Sequence, residues 1–383
     1  MSEPPLRIAF VVPAYWPAEA FGGPVWVLRS LARELVERGH SIDVWTTTLE
    51  HVDRRAARRT RVALLDGATV TYLATPLRYR WMGFTPSLRR HLRRAPKPDV
   101  AHVFGFRDPI GFDAAHWFRR QGVPYVFEAL GMFRPKLRKQ TLKRLLDSTL
   151  LASLPGHAAV VVAASEVERR EYLAAGIAPD RVAVRPNGIP AVPRTRSRQL
   201  RDRIGLADEP LILYVGRIAD GKGLDFLVDA LSDLVDVHLA LVGPDDGHGT
   251  TRRLIELAQA KDIESRVHIL GQWETQPLEL YADADVFALP SAHENFGMAA
   301  AEAASAGVAV VVTDRCGVAE LLEDHGALVV EYDAAAVHNA LRSLLADPAL
   351  RRRLGDLGAM RAAEYGWSSI AELQESIYRR AIA

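Results

Sequence analysis

Short apolar runs alternate with helical patterns twice along this chain, and that alternation confines it to layered α/β architectures with parallel sheets. Residues 8–12 read as a first buried strand. A helix over residues 25–38 follows, with Val27, Leu28, Leu31 and Leu35 at helical spacing and Gly39 as its stop. Residues 41–46, 69–73, 100–104, 125–128, 159–163 and 182–185 then read as short strands. Their apolar character is continuous and not alternating, which suits strands covered on both faces of a parallel sheet. The segment Pro186-Asn187-Gly188-Ile189-Pro190 and residues 193–203 break the pattern, being Pro-rich and then Arg-rich without an apolar period, so the linker between two units is expected there. The alternation then restarts. Strands are expected at 211–215, 237–242, 267–270, 286–289, 308–313 and 327–330, and helices at 223–235, 251–261, 297–306 and 334–346.

The pattern therefore predicts an α/β fold of two doubly wound, Rossmann-like domains, residues 1–190 and 191–365. In such sheets ligands bind beyond the carboxyl ends of the strands, so a cleft between the two units is the expected site. The 383 residues, 49% hydrophobic, are ample for two cores. No apolar run approaches the roughly 20 residues of a membrane span. The first strand is too short, and Pro13 follows too soon, for a signal peptide. The single cysteine, Cys316, excludes an internal disulfide and fits a reducing, cytoplasmic compartment. No Cys/His cluster has metal-site spacing, so neither a metal nor a bound cofactor is expected.

The net charge of +1 conceals an asymmetry: residues 1–190 carry +12 and the remainder −11. Such a split points to an anionic partner for the basic half. Its cations are grouped. Arg78, Arg80, Arg89, Arg90, Arg93, Arg94 and Lys97 are interleaved with Tyr79, Trp81, Met82 and Phe84; Arg134, Lys136, Arg138, Lys139, Lys143 and Arg144 with Met132, Phe133 and Leu137. Arg54, Arg55, Arg58, Arg59 and Arg61 form a further group. Cations mixed with apolar side chains suit an anionic membrane surface; ordinary solvated helix faces are the alternative. No recognition motif points to nucleic acid.

Two segments of the second half carry chemistry. In residues 211–227 a strand, a glycine-bearing loop and a helix follow one another, and the loop holds Arg217 and Lys222 between Gly216, Gly221 and Gly223. Glycines let backbone N–H groups approach a ligand closely, a helix N-terminus favours phosphate, and Arg and Lys can neutralise it. The spacing is not that of a Walker A loop; a surface turn with two solvated cations is the bland alternative. In residues 286–307 a strand ends at Pro290, Glu294 sits in the following loop, and Glu302 lies in a helix of otherwise small, apolar residues. A carboxylate there needs hydrogen-bond donors, which ribose hydroxyls would supply. Glu294 precedes Asn295-Phe296-Gly297, whose backbone offers further donors at a helix start.

Taken together, YVGR…GKG followed by LPSAHENFG…AEAAS resembles glycosyltransferase family 4, the retaining enzymes of GT-B fold related to glycogen and sucrose synthases. The resemblance covers nearly the whole chain, and the Glu294–Glu302 spacing is its most specific element. It implies that Arg217 and Lys222 bind the diphosphate of a nucleoside-diphosphate sugar, UDP- or GDP-linked. It implies that Glu294 contacts the transferred sugar and Glu302 the ribose. Asn295, Phe296, Gly297 and Met298 would line the sugar and diphosphate, and Gln272 and Trp273 would lie near the base. Gly22 and Gly23, before the first long helix, match a Gly-Gly pair facing the diphosphate. Residues 366–383 are implied to return onto the first domain. The first domain is where the family binds its acceptor, a saccharide or lipid-linked glycan. There His102 fits the first place of a His-x-His pattern, Phe104 occupies the second, and Leu130 before Gly131 replaces another histidine. Arg107, Asp108 and Glu128 are the remaining polar candidates. The family chemistry is a front-face transfer with retention, in which the leaving phosphate oxygen takes the acceptor proton and the protein stabilises the diphosphate charge without a metal. Two alternatives stay open: a transferase acting on a small sugar or sugar phosphate, and a catalytically weak nucleotide-sugar-binding subunit.

Overall fold

A computed structural model describes residues 3–51, 57, 59–79, 81–133, 153–273 and 277–383. The chain forms two compact units, Met1–Gly188 with Trp367–Ala383, and Ile189–Gly366.

The first unit contains strands β1 (Arg7–Val12), β2 (Ser41–Thr47), β3 (Arg61–Leu65), β4 (Ala68–Leu73), β5 (Leu77–Tyr79), β6 (Met82–Phe84), β7 (Val100–Phe104), β8 (Tyr125–Glu128), β9 (Val160–Ala163) and β10 (Val182–Val184). Eight of them build one sheet in the order β10-β9-β8-β7-β1-β2-β4-β3. The order reverses between β1 and β7, the point where such sheets open a crevice at their carboxyl ends. Seven strands run parallel. β3 is the exception, pairing antiparallel with β4 at the edge. Its Val62 and Leu64 are exposed, so it lacks the buried apolar run that reveals the other strands. β5 and β6 form a separate antiparallel hairpin, also absent from the sequence expectation.

The helix Gly23–Glu37 buries Val25, Val27, Leu28, Leu31, Ala32 and Leu35 on one face. At Gly39 φ is +94°, a left-handed conformation that stops the helix cheaply only with glycine. The helix Trp367–Ile382 belongs to this unit: Ala371, Ile377, Tyr378 and Ala381 join one core cluster with Ile8, Phe10, Leu28, Phe104 and Val160. A side chain at Gly188 would lie 2.2 Å from the Trp367 ring, so the glycine lets the returning helix seat.

The second unit contains β11 (Leu211–Val215), β12 (His238–Val242), β13 (Val267–Gly271), β14 (Val286–Leu289), β15 (Ala309–Thr313) and β16 (Ala327–Val330). All pairings are parallel and the order is β13-β12-β11-β14-β15-β16. This is the doubly wound order 3-2-1-4-5-6, reversing between β11 and β14. Two expectations need correction here. The segment 193–203, expected as a linker, is part of this unit. It contains the helix Gln199–Ile204, and Arg201 is fully buried, donating to Asp283 O at 2.7 Å and Asp285 Oδ2 at 2.8 Å. Asp283 in turn accepts from the backbone N–H of Arg198 and Leu200. The partners lie some eighty residues away, so no local apolar period announces the packing. The helix expected over 223–235 is regular only over Leu224–Ala230.

Candidate functional site

In the second unit the loops that follow β11, β12 and β14 pack against one another, and Gly216, Gly223 and Gly243 permit it. A side chain on Gly243 would sit 1.9 Å from Gly216 O, and one on Gly223 would sit 2.1 Å from Pro290 O. Both positions also have positive φ, so any other residue is strained there twice over. The close approach is sealed by backbone hydrogen bonds from Gly216 N–H to Val242 O at 2.9 Å and from Ala292 N–H to Gly221 O at 2.8 Å. Tyr214, fully buried at the end of β11, donates its hydroxyl to Arg217 O at 2.9 Å and so fixes the loop from beneath.

This packing brings Lys222 to Glu294. The ammonium pairs with Glu294 Oε1, and both side chains remain partly accessible, at 24% and 21%. Ser291 donates to the same oxygen at 3.2 Å. Arg217, in the same loop as Lys222, is exposed. The backbone of Glu294 is gripped by a third loop: its N–H donates to Arg315 O, Gly317 N–H donates back to its carbonyl, and Val318 N–H donates to Phe296 O. Phe296 is buried, Asn295 and Met298 are half-buried, and Gly297, at φ +104°, caps the helix Met298–Ser305. The Arg315–Val318 loop follows β15. It was not among the sequence candidates, because its role is carried by backbone groups that leave no side-chain signature.

Glu302 lies within that helix and is buried. Its Oε2 accepts from the Tyr281 hydroxyl at 2.6 Å. So a protein side chain supplies one of the donors that the sequence reading assigned to ribose. Burial pushes the carboxyl up to about 7, and the tyrosine hydrogen bond only partly opposes this. Tyr281 was likewise missed; it is twenty-one residues away on a short 3-10 segment. Gln272 and Trp273 directly follow β13. Gln272 is exposed, and the Arg203 guanidinium lies 4.5 Å from the Trp273 ring centroid.

In the first unit Gly22, at φ +80°, and Gly23 follow β1 and are exposed, and the space where their side chains would project is open. Arg107 and Asp108 follow β7, the other strand at this unit's reversal. Arg107 adopts φ +65° and spends its guanidinium on Met132 O and Phe133 O. Asp108 caps the helix Pro109–Arg120, accepting from Ile110 N–H at 3.0 Å, and burial raises its carboxyl to about 7.

His102 and Glu128 point into the unit. His102 Nδ1 lies 2.8 Å from the Tyr378 hydroxyl and Nε2 lies 3.5 Å from Glu128 Oε2. Arg185 donates to that same carboxylate at 2.5 Å. All four side chains are buried. Desolvation, reinforced by Arg185, holds the His102 ring well below its ordinary value. A neutral ring has one N–H to share between the Tyr378 hydroxyl and the Glu128 carboxylate. Phe104, in the place of a family histidine, stacks on His102 with centroids 3.7 Å apart. Leu130 takes φ +52° and its neighbour Gly131 φ +72°. Arg54, Arg55, Arg58, Arg80 and the group from Arg134 to Arg144 lie outside the described residues. Among the described residues no three His, Cys, Asp or Glu side chains are grouped to hold a metal, and no helix is long and apolar enough to cross a membrane.

Residues 22–188 match the glycosyl transferase 4-like domain model and residues 197–360 the glycosyl transferases group 1 model. D-inositol 3-phosphate glycosyltransferase 1 of Catenulispora acidiphila is 30% identical over 397 residues, covering 95% of this chain and 92% of that protein. The chain belongs to glycosyltransferase family 4. Within the family, D-inositol 3-phosphate glycosyltransferase of Xylanimonas cellulosilytica is 37% identical over 216 residues, 53% of this chain and 52% of that protein. The Kineococcus radiotolerans counterpart is 34% identical, and the match covers 57% of it. The chain thus spans about half the length of these two relatives. Among solved structures, sucrose-phosphate synthase from Thermosynechococcus elongatus superposes with a TM-score of 0.77 at 23% identity, covering 98% of each chain. Anabaena HepE in complex with UDP and glucose superposes with a TM-score of 0.77 at 19% identity, covering 97% of this chain and 99% of that one. The fold is GT-B, two Rossmann-like α/β domains with parallel sheets.

Proposed function

We propose that the protein is a retaining glycosyltransferase that moves a sugar from a UDP- or GDP-sugar to a saccharide hydroxyl. The observation that carries this reading is the meeting of Lys222 and Glu294, with Arg217 exposed in the same loop as Lys222, at the reversal of the second sheet. An ammonium and a carboxylate side by side suit a diphosphate next to the hydroxyls of the sugar it carries. Arg217 and Lys222 stabilise the diphosphate as it departs, and the backbone around Gly216, Gly297 and Met298 approaches it closely. Glu294 orients the transferred sugar and Glu302 the ribose, with Tyr281 holding the Glu302 carboxyl in place. Gln272 and Trp273 flank the base. Gly22 and Gly23 leave room for the diphosphate in the first domain. The acceptor proton passes to the leaving phosphate oxygen, so no metal is required and chelator leaves turnover unchanged.

The acceptor is a hydroxyl on a saccharide that carries phosphate. A lipid-linked glycan in envelope polysaccharide synthesis, reached from the cytoplasm at an anionic membrane face, is favoured by the basic first domain. A small sugar phosphate is favoured by the relatives, which include enzymes named for inositol 3-phosphate and maltose-1-phosphate.

A thermal-shift panel of UDP-, GDP- and ADP-sugars tests the donor reading. At a concentration of 100 dissociation constants the true donor stabilises the fold by about 2.7 kcal/mol. Donor hydrolysis is expected to fall about 100- to 1000-fold in Lys222→Ala and in Glu294→Ala. Absence of a shift from every nucleotide sugar refutes the reading.

A further inference from the structure

The hairpin β5–β6 is built inside out. Its register pairs Leu77 with Phe84, Arg78 with Gly83 and Tyr79 with Met82. Side chains alternate across a strand, so Leu77, Phe84, Tyr79 and Met82 share one face, and Arg78 and Gly83 share the other. The face that turns onto the protein is the one with arginine and glycine. Gly83 is buried, and a side chain there would meet Thr75, Leu49 and Thr47 at 2.8–3.1 Å; the Arg78 guanidinium reaches His51 O at 3.3 Å. The face that turns to solvent is apolar: Leu77 is 70% exposed, Tyr79 61% and Phe84 45%. A two-stranded ribbon that exposes Leu77 and Phe84 in this way presents an apolar patch suited to docking.

Charge identifies the occupant. Residues 77–98 contain seven Lys and Arg and no Asp or Glu. Directly after the hairpin, the helix Leu88–Arg94 buries Leu88 and Leu92, and Arg89, Arg90, Arg93, Arg94 and Lys97 are all exposed. Among the described residues, Arg89 is tied to an acid, Asp113. An anionic bilayer offers both an apolar interior and a negative surface, which matches an exposed apolar face beside a run of exposed cations.

We propose that β5–β6 is a membrane-docking ribbon: Leu77, Tyr79, Met82 and Phe84 enter the headgroup–acyl boundary of an anionic bilayer, and the helix Leu88–Arg94 lies along its phosphates. The ribbon packs on Thr47 and Leu49, at the carboxyl end of β2. Docking there sets the bilayer beside the ligand-binding end of the first sheet. The inference rests on the lipid-linked version of the acceptor reading and gives it a physical address.

Co-sedimentation of the full chain with phosphatidylcholine vesicles, with and without phosphatidylglycerol, tests it, alongside donor hydrolysis in solution. The wild type is expected to pellet with anionic vesicles only, less so as salt rises. Leu77→Ser/Phe84→Ser is expected to stay in the supernatant while keeping its thermal midpoint and donor hydrolysis. Arg90→Gln, Arg93→Gln and Arg94→Gln are each expected to weaken vesicle binding about fivefold. Failure of the wild type to pellet at low salt overturns the proposal and leaves the transferase reading intact if hydrolysis persists. Unchanged binding by Leu77→Ser/Phe84→Ser overturns the role of the ribbon. A wild-type dimer in sedimentation equilibrium that the same variant dissociates assigns the face to a second copy of this chain and also overturns it.

Discussion

Replacing Glu302 by glutamine separates what this residue does for the ligand from what it costs the fold. In the folded protein burial displaces the carboxyl from 4.5 to about 7. A carboxyl raised in this way binds its proton more tightly folded than unfolded. Between pH 4.5 and 7 the unfolded chain has released a proton that the native state retains, so stability declines as pH rises through that window. At about 1.36 kcal/mol per pH unit the full displacement amounts to about 3 kcal/mol, expressed above pH 7 and absent below pH 4.5. Glu302→Gln cannot ionise. It keeps an oxygen to accept from Tyr281, and its amide N–H₂ adds a buried donor whose cost of about 1–3 kcal/mol does not depend on pH. The informative quantity is therefore the difference in unfolding free energy between variant and wild type, measured by urea denaturation from pH 4.5 to 8. It should shift in favour of the variant by about 3 kcal/mol across that range, while nucleotide-sugar thermal shifts at pH 8 shrink or vanish. A flat difference across the range refutes the argument that desolvation dominates at Glu302.

Two further outcomes follow from the geometry. His238 and His268 share a 3.0 Å nitrogen–nitrogen contact, and burial holds both rings below their ordinary value. Depressed folded values mean that the stabilisation is present above about pH 6.5 and is lost as pH falls. Between pH 7.5 and 5, wild-type urea stability should therefore drop more than that of His268→Gln; equal drops sink the idea. Gly243→Ala forces a side-chain carbon to 1.9 Å from Gly216 O and should cost at least about 2 kcal/mol together with the nucleotide-sugar shift. Gly247→Ala, also at positive φ but with nothing within 4 Å, should cost about 1 kcal/mol and leave the shift intact; similar losses in both variants would show that strain and not crowding matters at Gly243.

The parallel α/β character was legible because buried strands such as Leu211–Val215 and Val286–Leu289 are continuous apolar runs, a signal that depends on a few neighbouring residues. Likewise Gly216, Arg217 and Lys222 stand out in one loop, and Glu294 and Glu302 in one strand–loop–helix. Elements that break the local rule were not legible. β3 and the hairpin β5–β6 carry their apolar residues outward, and the helix Gln199–Ile204 is held by Arg201, Asp283 and Asp285 and not by an apolar stripe.

The pairings that position the candidate site have no local code at all. Lys222 and Glu294 are 72 residues apart, Tyr281 and Glu302 are 21 apart, and His102 and Tyr378 are 276 apart. Residue types and their spacing specify which loops carry charge and which helix hides a carboxylate. Which charge meets which, and whether a histidine such as His102 faces a ligand or closes onto Glu128 and Tyr378, is set by how strands distant in sequence are ordered in a sheet. Hydrogen bonds and ion pairs act over about 3 Å, and only the folded sheet order brings such residues within that range.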